Sequence, residues 1–201
     1  MYIFFLIITA LTTLPIFSRE SQPAIDKSMA AVDKINFVLP LYSFRNKCSI
    51  LSVSIPEGYK PLQSLEQFGR REATMIEYIP KEESANEWSK IITLNKLIGK
   101  RTQAGIFTNS LKSQVSASSS SRKVLSQGVS KEKMIEKAHF IMQYQYQNRQ
   151  EVLGAFYFSG PSDLAGVQYT IRLKKDQTVA DAVSQIEAFF ENQVKCIVDS
   201  P

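Results

Sequence analysis

Between Phe140 and Leu173 apolar and polar side chains alternate regularly enough to predict three consecutive strands. Phe140, Met142, Tyr144 and Tyr146 alternate with Ile141, Gln143, Gln145 and Gln147. Successive residues of a strand project to opposite sides, so one face is aromatic and the other largely amide. Asn148-Arg149-Gln150 is short and polar, the make-up of a hairpin loop. Val152 to Phe158 is apolar on both faces, as in a strand covered on both sides. Ser159-Gly160-Pro161-Ser162-Asp163 ends it, since Pro161 has no N–H to give a ladder. Val167, Tyr169, Ile171 and Leu173 then alternate with Gln168, Thr170 and Arg172. Short loops between neighbouring strands predict an antiparallel meander.

The period changes after Thr178. Thr178 and Asp181 match a capping box, and Val179, Ala182, Val183, Ile186, Phe189, Phe190, Gln193 and Ile197 recur at helical spacing. The prediction is an amphipathic helix of about eighteen residues covering the sheet. Each large side chain fully buried contributes roughly 1.5–3 kcal/mol, so packing alone holds such a helix in place.

Upstream the pattern is more broken. Cys48 to Ile55 alternates as a half-buried strand and turns at Pro56-Glu57-Gly58-Tyr59. Lys60 to Arg71 reads as mixed loop with a short helix around Leu65, and Thr74 to Ile79 as a strand stopped by Pro80. Ser84, with Glu87 three residues on, fits a short capped turn before Trp88 and a strand at Lys90 to Leu94. Thr102 is the expected cap of a mid-chain helix carrying Ala104, Ile106, Phe107, Leu111 and Val115 on one face. Ser116 to Ser121, five serines and one alanine, reads as a flexible linker. Val124 to Val129 reads as a short edge strand, and Lys131 to Lys137 as a charged connection. Ile35 to Phe44 is interrupted by Pro40 and reads as an irregular arm. The sum is an α+β domain: an antiparallel sheet of about six strands, a mid-chain helix and a long C-terminal helix packed on it.

The chain begins with an almost wholly apolar run, Met1 to Phe17, broken at Pro15 and followed by Ser18 and Arg19. That layout predicts a secretory signal cleaved after Ser18; an uncleaved membrane anchor is the alternative. The division expected is residues 1–18 as signal, 19–47 as an N-terminal arm and 48–201 as a single domain. Export implies an oxidising compartment, in which Cys48 and Cys196 are expected to form a disulfide, the alternative being two buried thiols. Cys196 is placed on the apolar flank of the last helix. A bridge closing so long a loop contributes up to about 4–5 kcal/mol in the chain-entropy account.

Composition narrows the function without naming it. Of 201 residues 44% are hydrophobic and 21% charged, the balance of a globular protein with a real core. A net charge of +5 is mild, and the aromatic residues are not interleaved with Lys and Arg clusters, so no nucleic-acid partner is expected. His139 is the only histidine; with no CxxC and no Asp-x-Asp loop, no metal and no cofactor is expected. Glu82, Glu83 and Glu87 are the densest acidic cluster and are candidates for paired-carboxylate hydrolysis, the alternative being a solvated turn. Ser159 and Ser162 lack the Gly-x-Ser-x-Gly elbow. Two binding surfaces are candidates. One is a tyrosine row, Tyr144, Tyr146, Tyr157 and Tyr169, lining a pocket. The other is cationic: Lys96, Lys100 and Arg101, with Arg122, Lys123, Lys131, Lys133 and Lys137, facing an acidic partner or an anionic membrane surface.

Ser54-Ile55-Pro56-Glu57-Gly58-Tyr59, then Ile76-Glu77-Tyr78-Ile79-Pro80 and Trp88-Ser89-Lys90-Ile91-Ile92-Thr93, stand in an order that resembles PsbP/Mog1-like domains of small exported bacterial proteins. The resemblance covers about Cys48 to Val198. It implies a non-catalytic accessory or binding role; together with the signal segment, the expectation is an envelope accessory or virulence-associated factor acting through an unknown protein or small ligand. It transfers no functional residue. The competing expectations are a small secreted hydrolase using a carboxylate pair and a membrane-surface binder using the lysine clusters.

Overall fold

The computed structural model describes residues 34–38, 47–67, 72–98, 102–132, 135–160 and 163–199. Its centre is a seven-stranded antiparallel sheet built from β3 (Tyr59–Gln67), β4 (Glu72–Pro80), β5 (Lys90–Ile98), β6 (Ser121–Glu132), β7 (Ile135–Tyr146), β8 (Arg149–Ser159) and β9 (Leu164–Arg172). The strand order is β3-β4-β5-β9-β8-β7-β6, so the chain enters at one edge, jumps to the other and returns to the middle. A smaller antiparallel sheet has the order β1-β2-β10, from β1 (Lys34–Val38), β2 (Lys47–Ser54) and β10 (Val194–Asp199). Two helices complete the described residues, α1 (Ala104–Ala117) and α2 (Val179–Gln193). The fold is α+β, with a main sheet of seven strands where about six were expected and a second sheet of three among the described residues.

The period-2 pattern dictates that the helices take opposite faces. On β8, Leu153, Ala155 and Tyr157 join Phe107 and Leu111 of α1 in one buried cluster. Val152 and Phe158 join Ile186 and Phe189 of α2 in another, which also takes in Val53 of β2 and Ile55 just beyond it. Tyr157 meets Phe107 with ring centroids 4.7 Å apart, and Tyr169 meets Phe189 at the same separation on the far side. β8 is thus covered on both faces, which is why its sequence shows no polar alternation. Close approach of α2 requires Gly154. A Cβ there would overlap Ile186 and come within 2.8 Å of Phe190 Cε2.

The meander holds as expected, with its turn moved. Gln147 and Asn148, both at positive φ (48° and 62°), make a two-residue turn between β7 and β8. Positive φ at both positions matches the right-handed twist of the strands it joins. The capping box is present: Asp181 N–H donates to Thr178 Oγ1 at 3.1 Å, and Thr178 N–H donates to Asp181 Oδ2 at 3.1 Å.

Several expectations are corrected. The last helix stops at Gln193 and passes directly into β10, so Cys196 and Ile197 lie on a strand paired with β2. Lys60 to Arg71 is not loop with a helix, because β3 occupies Tyr59–Gln67; its Pro61 sits at a register shift on an edge strand, where proline is tolerated. The arm at Ile35 to Phe44 includes β1, paired with β2. Gln103, not Thr102, is the N-cap of α1, and Ile106 is 61% exposed, off the buried face. The serine run is not a free linker. Helix continues to Ala117, Ser118 N–H donates to Gln114 O, and Ser120 N–H donates to Gln145 O, delivering the chain into β6. That edge strand runs to twelve residues, absorbing the start of the predicted charged connection.

Candidate functional site

Strand register assembles a row of polar side chains on the α1 face of the sheet. Tyr144, Glu151 and Arg172 are direct cross-strand neighbours on β7, β8 and β9. Glu151 is completely buried, and each of its oxygens accepts a short bond: Oε1 from Arg172 Nε at 2.8 Å, Oε2 from the Tyr144 hydroxyl at 2.6 Å. Burial of a carboxylate is tolerated only with such compensation. The Arg172 guanidinium also lies 3.5 Å from the centre of the Trp88 ring, and its Nη1 donates to Trp88 O at 3.3 Å. Burial, and then the charge of Glu151, push the Tyr144 phenol well above its ordinary range, so it stays a neutral donor. The arrangement fastens the ends of β8 and β9 to the start of β5.

A second polar group lies in the same layer. Tyr157 Oη accepts from Asn95 Nδ2 at 3.0 Å and from Gln168 Nε2 at 2.7 Å. Burial raises its pKa, while the two amide donors pull in the opposite direction. Thr93 Oγ1 donates to Glu77 Oε1 at 3.3 Å on the neighbouring strands.

Beside Arg172 the surface dips into an open groove of about 350 Å³ where β5 begins, β9 ends and α2 starts. Lys90, Lys174, Asp176 and Asp181 contribute charges of both signs to its wall. Asp181 belongs to the helix cap, whose hydrogen bonds from Thr178 hold its carboxyl below the usual value.

The tyrosine row does not line one pocket. Tyr144 and Tyr157 are buried with α1, and Tyr146 packs at the rim of that cluster. Tyr169 lies on the α2 face, its hydroxyl 3.3 Å from that of Tyr59. The cause is register: Tyr157 faces Gly166 and Tyr169 faces Gly154, so the two phenols occupy positions of opposite parity. Lys96 is half-buried on β5, and Lys100 and Arg101 lie outside the described residues. Glu82 and Glu87 are exposed, whereas Glu83 clamps Ser89 through both oxygens at 2.6 Å. His139 stacks on Phe156 at 5.8 Å, a packing position. Cys48 faces Val198 across the small sheet, two residues along from Cys196; the side chains of both cysteines lie outside the described ones. Among the described residues no three His, Cys, Asp or Glu side chains gather as a metal site, and no helix is long and apolar enough to cross a membrane.

Sequence reasoning placed an edge strand at Val124 to Val129 and named the cations beside it, but missed the apolar side chains exposed there. Ile106, Val124 and Val129 are the most exposed large apolar side chains among the described residues, and all belong to α1 or β6. Arg122, Lys123 and Lys131 are exposed on the same strand. The available signal was the pattern Arg-Lys-Val-Leu-Ser-Gln-Gly-Val-Ser-Lys, too polar for a covered strand. No family model matches this chain, and no curated protein is similar enough to count as a relative.

Proposed function

We propose that this chain is a non-enzymatic exported protein, periplasmic or secreted, that works by binding a protein or ligand on a PsbP-like scaffold. The observation that supports this reading is that the carboxylates of Glu151 and Glu83 are already bonded within the fold. Both oxygens of Glu151 are taken by Arg172 and Tyr144, and both oxygens of Glu83 by Ser89. The carboxylate-pair alternative would rest on Glu82 and Glu87, which stand exposed on a turn. Hydrolysis by two acids requires them fixed across a cleft. Recognition at the surface, by backbone edges, exposed apolar side chains and cations, fits these placements. A Met1 to Ser18 signal, which lies outside the described residues, accounts for export.

Two measurements test the reading. Fractionation of the native host, with N-terminal sequencing, is expected to recover the chain outside the cytoplasm beginning at Arg19. Recovery of the intact chain in the cytoplasm contradicts export. Saturable turnover of glycoside, ester or peptide substrates, lost in Glu82→Gln or Glu87→Gln, contradicts the non-enzymatic role.

A further inference from the structure

β6 is a terminal strand of the seven-stranded sheet, so one side of its backbone has no partner strand among the described residues. Proteins ordinarily blunt such an edge by shortening, bending or covering it, because unpaired N–H and C=O groups invite another strand. Here the edge is twelve residues long, and most of it is exposed. A register shift at Leu125 separates its two halves.

The side chains along it are ordered by that shift. Arg122 and Val124 face Tyr144 and Met142 of β7, while Gln127 and Val129 face Phe140 and Ala138; all four β7 residues lie on the α1 face. Lys131 follows two residues on, opposite Glu136, whose Oε1 accepts from Gly105 N–H of α1. The α1 face of the edge therefore reads Arg122, Val124, Gln127, Val129, Lys131: cations at the ends, valines inside them, an amide in the centre. Contacts with α1 agree. Lys112 Nζ donates to Gln127 Oε1 at 2.6 Å, Arg122 Nη1 donates to Ser116 O at 3.2 Å, and Val129 lies against Gly105, next to exposed Ile106.

This pattern selects an occupant. β6 carries three cations and a single acid, Glu132, at its last residue. A second copy pairing antiparallel with Val124 opposite Val129 would set Arg122 opposite Lys131, and by symmetry would do so twice. Like charges directly opposed across a strand pair are destabilising, whereas opposite charges there are favourable. We propose that β6 is a docking edge for an extended acidic segment of a partner protein. The segment adds as a further strand, with apolar side chains against Val124 and Val129 and carboxylates against Arg122 and Lys131. Backbone bonds supply affinity and alternate side chains supply specificity. The spacing asks for a strand of about nine residues, at roughly 3.3 Å each. The inference rests on the binding role proposed above and names its partner class.

The test is fluorescence anisotropy on the full chain with a labelled, end-capped peptide, Glu-Thr-Val-Thr-Gln-Thr-Val-Thr-Glu, and its counterpart bearing Lys at both ends. The acidic peptide is expected to bind saturably and less tightly as salt rises. Combining Arg122→Glu with Lys131→Glu should weaken it by about tenfold, each ion pair turning to repulsion at a few-fold per pair, and should transfer preference to the Lys peptide. Lys131→Glu alone provides a second readout that leaves the Arg122–Ser116 contact intact. Equal binding of the two peptides, binding of neither, or a peptide-free dimer that protects β6 each overturns the proposal. Those results leave the wider binding role standing, since that role falls only to turnover or to cytoplasmic retention.

Discussion

Removing the positive end of the Glu151–Arg172 pair should be among the most damaging single changes in the described core. Glu151 has no exposed surface, and the Arg172 side chain retains only 16% of its own. In Arg172→Met the aliphatic stem is largely kept, while the 2.8 Å bond to Glu151 and the stacking on Trp88 are lost. Breaking a buried pair by deleting one partner costs about 3–5 kcal/mol, because the remaining charge stays desolvated. The cation–π contact contributes about 1 kcal/mol more. Urea unfolding followed by fluorescence and circular dichroism reads this as a lower midpoint at unchanged slope. A loss below about 1 kcal/mol, the range of an exposed pair, would refute the assignment of Glu151 as a buried, charge-compensated group.

Other perturbations test other contacts. Tyr157→Phe leaves the Asn95 and Gln168 amide donors without their acceptor and should cost about 1–3 kcal/mol in the same unfolding assay. Gly154→Val drives a side chain into Ile186 and Phe190 and should cost at least about 1–3 kcal/mol, with loss of α2 helicity by circular dichroism. Burial raises the pKa of Tyr59, Tyr144, Tyr157 and Tyr169. Their contribution is complete below the unfolded tyrosine value of about 10 and is lost as pH rises beyond it. An ultraviolet titration should therefore show these phenols ionising together with alkaline unfolding; smooth ionisation in the folded chain would contradict their burial.

The sequence was most informative where a single local rule decides the outcome. Thr178 and Asp181 satisfy each other within one turn, and β7 and β9 alternate at period two on either side of the doubly apolar β8. It was least informative where pairing decides. Val194–Asp199 continues a helical apolar spacing through Ile197, yet β2 draws it into a sheet. Tyr59–Gln67 has little strand propensity and is ordered by pairing with β4. The Tyr144–Glu151–Arg172 row is legible only once the hairpin turn is placed. Centring it on Gln147 and Asn148 puts Tyr144 opposite Glu151, whereas a loop at residues 148–150 shifts that register. The tyrosine pocket failed for the same reason, since parity across β8 and β9 separates phenols that look contiguous in the chain.

Recognition at an open β-edge, by a scaffold whose buried Glu151 is already matched by Arg172, is most directly tested by residue-resolved hydrogen exchange on the full chain with and without the acidic peptide. Protection is expected to rise at alternate amides from Arg122 to Lys131, with β8 and β9 unchanged. Protection confined to the groove beside Arg172, or spread evenly over the molecule, would place binding elsewhere and contradict the account.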